Sequence, residues 1–273
     1  MAKGRILVPT DFSKQADIAF KQSVFFSKKT DMEIFLLHVM PKIRTMNVSC
    51  ADNNIEDIQH KFERLINEAK CFSETKIHSR IECGKVLSKI LEVEGEVKPN
   101  FMFVGTDLSD SEASSVALRL IDNVSCPIIV FTGRFNNIGC KNIVLPVDLT
   151  KETKQKINLT IELAKIYEAT VHVISVINSY NDEEFLKKKR QLEEVKCIFN
   201  NSGINCIPKL IKTKNDVEIM ANAINDYADD INSDLIVIMT RQETKIQKFF
   251  IGSMATKLIR KANAPILCVS PKF

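Results

Sequence analysis

The stretch RILVPTDFS, residues 5–13, returns in altered form as NIVLPVDLT, residues 142–150. Each is an apolar run that ends in Pro-x-Asp and then a Ser or Thr. A short continuous apolar run suits a strand buried on both faces. The Ser or Thr behind it suits the N-cap of a helix, and Ser13 and Thr150 hold that place. Asp11 maps onto Asp148, 137 residues later. The same spacing brings IFLLHVMP, residues 34–41, onto VHVISVIN, residues 171–178, with Val39 on Val176. NFMFVGT, residues 100–106, matches DLIVIMT, residues 234–240, 134 residues on. SSVALRLIDNVSCPIIV, from 114, matches GSMATKLIRKANAPILCV, from 252, now 138 residues on. The chain is thus written twice, and the second copy carries four extra residues between these last two segments. Repeats of about 136 residues are ordinary domain size. The Gly- and Asn-bearing stretch GRFNNIGCK, residues 133–141, is the expected join, giving domains 1–136 and 139–273.

Within each copy, apolar runs alternate with helical spacing. Residues 5–10, 34–40, 101–105 and 127–132 are the strand candidates of the first copy. Ile55, Ile58, Phe62, Leu65, Ile66 and Ala69 follow a helical period, as do Phe185, Leu192, Val195 and Phe199 in the second copy. The third strand, KIHSRIE or NCIPKLIK, is more polar and holds Pro208, which points to a sheet edge. The expected fold class is α/β, with two tandem doubly wound parallel-sheet domains.

Composition narrows the function. Apolar residues make up 45% of the 273 and charged residues 26%, so each copy can build a core. With 38 basic and 34 acidic side chains the net charge is only +4, which argues against nucleic acid or an anionic membrane as the partner. No apolar run approaches the ~20 residues that span a bilayer. MAKGRILVPTDF runs straight into a strand without a signal-peptide h-region, so a cytoplasmic protein is expected. The eight cysteines form no C-x-x-C pair and are expected to be reduced. His38, His60, His78 and His172 lack metal-ligand spacing, and no metal site is expected. Three catalytic signatures are missing. CGKV near Gly84 lacks the rest of a Walker A loop, no G-x-S-x-G elbow occurs, and no dinucleotide fingerprint occurs.

With PTDFS, LLHV, a strand-loop-Gly-Ser segment and APILCV in this order, and the order found twice, the chain resembles the universal stress protein family in both halves. The resemblance implies five-stranded sheets of order 3-2-1-4-5, of the adenine nucleotide alpha hydrolase-like kind. It also implies a nucleotide pocket at the carboxyl ends of the first and fourth strands, with ATP or AMP as the implied ligand. Open α/β sheets bind ligands at that switch point on physical grounds as well. In the second copy the matching positions are Pro146, Val147, Asp148, Val176, Gly252, Ser253 and Met254. In the first they are Pro9, Thr10, Asp11, Val39, Gly105, Ser114 and Ser115. Each aspartate has two readings: it caps the helix behind it, or it accepts hydrogen bonds from a ligand's amino or hydroxyl groups.

ATP-binding members of the family carry G-x2-G-x9-G-[ST]. Its glycines allow close backbone approach to phosphate, and its last pair opens a helix whose amides attract anions. The second copy keeps the loop length and Gly252-Ser253, but Met239 and Gln242 stand at the first two glycine positions. Arg241, Lys245 and Lys248 either supply compensating charge or form a solvated loop, and Gly252 also suits a plain tight turn. The first copy keeps Gly105, has Leu108 at the second position and Ser114-Ser115 at the last, and its loop is four residues shorter. The pocket therefore reads as degenerate in both copies and better kept in the second.

Two functions follow. The first is a stress-response or regulatory protein without catalytic machinery, acting on an unknown protein partner. The second is an ATP-binding protein with slow hydrolysis or autophosphorylation. Related single-domain proteins dimerise through the last strand. That implies an internal pseudo-dimer here, with Ile128, Ile129 and Val130 paired to Ile266, Leu267 and Val269, and leaves room for a homodimer of whole chains. Such apolar edge strands would otherwise stay open to aggregation.

Overall fold

The computed structural model describes residues 3–41, 52–106, 111–132, 137–147, 153–177, 182–214, 216–240 and 253–270. The chain divides into two units, Met1–Ile138 and Gly139–Phe273. In the first, β1 (Arg5–Pro9), α1 (Lys14–Thr30), β2 (Glu33–Met40), α2 (Asp52–Lys70), β3 (Ile77–Cys83), α3 (Val86–Val97), β4 (Phe101–Thr106), α4 (Ser111–Asn123) and β5 (Ile128–Thr132) follow one another. All strand pairs are parallel and lie in the order β3-β2-β1-β4-β5. The second unit runs β6 (Asn142–Pro146), α5 (Thr153–Tyr167), β7 (Thr170–Ile177), α6 (Asp182–Asn201), β8 (Cys206–Lys212), α7 (Val217–Asp230), β9 (Leu235–Met239), α8 (Ser253–Lys261) and β10 (Ile266–Val269). Its order, β8-β7-β6-β9-β10, is the same 3-2-1-4-5 pattern.

The apolar runs explain the sheets. Ile6, Leu7 and Val8 are successive residues that point to opposite faces, yet all are fully buried. A strand covered on both faces needs helices on both sides, and βαβ crossovers provide them. β3 lies at the edge of its sheet and is correspondingly polar. There Arg80 pairs with Glu82 at 2.6 Å and with Glu96 at 2.5 Å, and Lys89 reaches Glu82 at 3.4 Å. Charges on an exposed edge discourage pairing with another chain. β8 holds the matching edge, where Pro208 is tolerated.

Ser13 caps α1, its Oγ accepting from the Ala16 amide at 3.3 Å. Asp17 in the first turn and Lys28 and Lys29 in the last suit the helix dipole. The matching cap, Thr150, lies outside the described residues.

Cys126, Cys140, Cys206 and Cys268 are buried free thiols, and Cys71 and Cys197 are exposed free thiols. Burial pushes the Cys206 thiol up to about 11 and holds Cys140 and Cys268 well above their ordinary value, so these sulfurs act as small apolar groups. Cys83 departs from the expectation of reduced thiols: it is disulfide-bonded. Its place at the end of an edge strand, only half-buried, sets it apart from the four thiols of the interior.

A polar pair is among the differences between the cores of the copies. His172 on β7 is buried, and its Nδ1 lies 2.9 Å from the Tyr227 hydroxyl of α7. The first copy has Phe35 at the matching place, stacked on His78 with ring centroids 4.6 Å apart. Burial lowers the His172 pKa below its ordinary value of about 6.5. The unfolded chain therefore binds the proton first. The stability that comes from keeping His172 neutral is complete above about pH 6.5 and is lost as pH falls through the folded value. Unfolding followed from pH 7 to 5 should show the second unit weakening, and His172→Phe should flatten that slope. An unchanged slope in the variant would show that other groups set the acid sensitivity.

Candidate cleft at the ends of the first and fourth strands

Four residues turn the chain from β1 into α1, and three of them are short acceptors that hold backbone amides. Thr10 Oγ1 accepts from the Phe12 amide at 3.0 Å, Asp11 Oδ1 from the Ser13 amide at 2.9 Å, and Ser13 Oγ from the Ala16 amide at 3.3 Å. This is why TDFS contains Thr, Asp and Ser at these places. Phe12 between them has φ +64°, a left-handed conformation that is uncommon for a bulky residue and costs on the order of 1–3 kcal/mol. Its ring contacts offset that cost. It lies 4.9 Å from the His38 ring and 5.4 Å from the Phe62 ring, with the Lys61 ammonium 5.3 Å from its centroid.

His38 projects from β2 towards the same turn. Its Nδ1 lies 2.8 Å from the Thr10 carbonyl, which only accepts, so Nδ1 carries the proton. The Thr10 amide in turn donates to the Leu37 carbonyl at 2.8 Å. The histidine thus ties β2 to the turn, and it also faces the cleft.

β4 approaches from the other side of β1. A Cβ on Gly105 would lie 2.1 Å from the carbonyl carbon and oxygen of Gln15 and 2.3 Å from the amide nitrogen of Ala16. The first turn of α1 rests directly on this glycine. Its missing side chain is used for helix–strand packing. Thr106 follows, 4% exposed. Its Oγ1 is buried and has no hydrogen-bond partner among the described residues. An unsatisfied buried hydroxyl costs about 1–3 kcal/mol.

Between the ends of β1 and β4 lies a cavity of about 360 Å³. Of the positions expected in the first copy, Pro9, Thr10, Asp11, Val39 and Gly105 line it. Ser114 and Ser115 belong to α4, and their side chains lie outside the described residues. Residues that the sequence reading missed add to the wall, among them Thr106 and His38, Val86 and Ile90 of α3, and Val116, Ala117 and Leu120 of α4. The helical periods of α3 and α4 carried a signal for these aliphatic residues, but a core position and a pocket wall look alike in sequence. The volume falls at the small end of ligand pockets, roughly 300–1,000 Å³. Chemically the cleft offers an apolar slot, a carboxylate at its mouth, and hydroxyl and imidazole groups around it. Among the described residues no group of side chains could hold a metal ion.

In the second unit Pro146, Val147, Val176 and Met254 are placed, and Ser253 begins α8. The Val147 amide donates to the Ile174 carbonyl at 2.8 Å, repeating the Thr10–Leu37 bond. Asp148 and Gly252 lie outside the described residues, as do Arg241, Gln242, Lys245 and Lys248. One residue there escaped the sequence reading. Lys156 stands where the first copy has Ala19, is 8% exposed, and its Nζ donates to the Pro146 carbonyl at 2.5 Å. A lysine on the inner face of a helix was the available signal. Thr240, the counterpart of Thr106, has partners: the Val269 carbonyl at 3.3 Å and the Ser270 hydroxyl at 3.4 Å.

Gly105→Ala should destabilise the first unit by about 1–3 kcal/mol in denaturant unfolding, because the added methyl meets backbone atoms that cannot rotate away. Unchanged stability would mean that α1 does not rest on β4 in this way.

A model of the Universal stress protein family matches residues 3–132 and again 139–270. A universal stress protein of Methanocaldococcus jannaschii is 27% identical over 143 residues, 47% of this chain and 81% of that protein. A putative universal stress protein of Staphylococcus aureus is 25% identical over 144 residues, covering 48% and 85%. The crystal structure of a universal stress protein from Archaeoglobus fulgidus aligns with TM-score 0.72 at 16% identity, over 97% of this chain and 96% of that one. At that identity the likeness concerns the fold. In the described residues no helix is long and apolar enough to cross a membrane.

Proposed function

The chain belongs to the universal stress protein family, and on that premise we propose that it is a stress-response regulator whose first unit holds an adenine-containing ligand as a signal. The observation that carries this reading is the cavity at the ends of β1 and β4, with the Asp11 carboxylate at its mouth. Asp11 spends one oxygen on the Ser13 amide. A carboxylate has about four acceptor sites, so the capping role and a ligand role are compatible. The apolar walls from α3 and α4 suit the faces of a flat base. The same turn that shapes the cleft also starts α1, so occupancy would be felt by that helix.

A second site, in the second unit, is favoured by Asp148, the kept loop length and Gly252-Ser253. Lys156 gives that unit a buried ammonium beside Pro146 which the first unit lacks.

The test begins with the purified chain, heat-denatured, and its supernatant run on ion exchange for released nucleotide or nucleoside. Titration of adenine ligands then follows on Asp11→Ala and Asp148→Ala. Asp11→Ala should weaken binding by about 1.5–3 kcal/mol, the range for a hydrogen bond to a charged group. Loss only in Asp148→Ala would move the ligand to the second unit. No carried ligand and no binding on titration would overturn the adenine reading.

A further inference from the structure

Thr106 and Thr240 occupy the same place in the two copies, at the ends of β4 and β9, and both are buried. Thr240 spends its hydroxyl within its own unit, on the Val269 carbonyl and the Ser270 hydroxyl. Thr106 Oγ1 has no hydrogen-bond partner among the described residues, and Thr106 lines the cleft. Folded proteins leave few buried polar groups unpaired. An unpaired hydroxyl in a cavity wall, beside a copy in which the same hydroxyl is paired, marks a group kept for something that enters the cavity.

The charge around the cleft says what kind of group that is. Asp11 is the carboxylate among the described lining residues, and none of those residues is a lysine or arginine. A phosphate in the cleft would approach a like charge with no cationic side chain in the described wall to offset it. The part of α4 that lines the cavity is Val116, Ala117 and Leu120, apolar and beyond the first turn of the helix. Gly105, the family's first phosphate-loop glycine, has its side-chain space taken by α1. The loop after β4 is also four residues shorter than in the second copy. The hydroxyls of a sugar, by contrast, donate well to a carboxylate.

We propose that the first unit's cleft takes an uncharged nucleoside in preference to its phosphates, with the Thr106 hydroxyl and the Asp11 carboxylate reading it. This rests on the adenine reading of the cleft given above. Thr106 either donates to a base nitrogen or accepts from an amino group, and Asp11 accepts from the ribose hydroxyls. The second copy is excluded from this role by its own threonine, which is already paired.

Calorimetric titration of the full chain with adenosine, AMP and ATP tests it. Adenosine should bind at least tenfold more tightly than ATP. Thr106→Val should weaken adenosine binding about five- to tenfold, the worth of one hydrogen bond, while the melting temperature of the free protein stays level or rises. Thr106→Ser should restore the affinity. A merely structural threonine would lower the melting temperature and leave affinity alone, and that result would overturn the proposal. ATP binding more tightly than adenosine would overturn the nucleoside preference while leaving the adenine reading intact. Failure of all three ligands to bind would overturn both.

Discussion

The close approach of the first turn of α1 to Gly105 sets the geometry of the first unit's cleft. Backbone atoms of Gln15 and Ala16 lie where a Cβ would be, so the helix start is pressed against the end of β4. That contact fixes where the turn Thr10–Ser13 passes, and the turn must make a left-handed step at Phe12 to get there. The ring of Phe12 then packs at a tilt against His38 and Phe62. The imidazole in its turn ties the Thr10 carbonyl to β2. A single missing methyl group thereby positions Asp11, Thr10 and His38 around one cavity.

The second copy shows what happens when that constraint is released. Met239 stands where Gly105 stands in the first copy. A side chain at that place in the first unit would meet the backbone of Gln15 and Ala16. Lys156 replaces Ala19 and directs its ammonium to the end of β6, and Thr240 closes its hydroxyl on β10. The core drifts too, with the His172–Tyr227 pair where the first copy stacks Phe35 on His78. Parallel sheets of one topology tolerate these changes because the apolar pattern of the strands, which both copies keep, sets the topology. The site residues at the strand ends carry no such burden and diverge.

That division also explains what could be read in advance. RILVP and NIVLP declared buried parallel strands, and the polar character of KIHSRIE and Pro208 declared the edges, because burial and backbone hydrogen bonding leave a direct imprint on residue type. The capping role of Ser13 was legible for the same reason. Asp11 was ambiguous in sequence, since a carboxylate behind a strand can hold the following turn or meet a ligand; its bond to the Ser13 amide shows the first use, and its place on the cleft wall is compatible with the second. Thr106 was invisible, because nothing in FVGT tells a paired hydroxyl from an unpaired one. Gly105 was read for its backbone freedom towards a ligand, and its close contact with a neighbouring helix is a further reason for a glycine that the sequence did not declare. Phe12 gave no warning at all: a left-handed phenylalanine has no sequence signature.

The central claim is that the ends of β1 and β4 in the first unit form the ligand cleft, with Thr106 facing what binds. Threonine methyl groups report it directly, because Thr10 and Thr106 stand at the cleft and Thr240 marks the same place in the other copy. In a methyl-labelled full chain titrated with adenosine and followed by NMR, the account predicts saturable shifts of the Thr10 and Thr106 resonances while Thr240 holds still. Movement of Thr240 with Thr106 unmoved would contradict it.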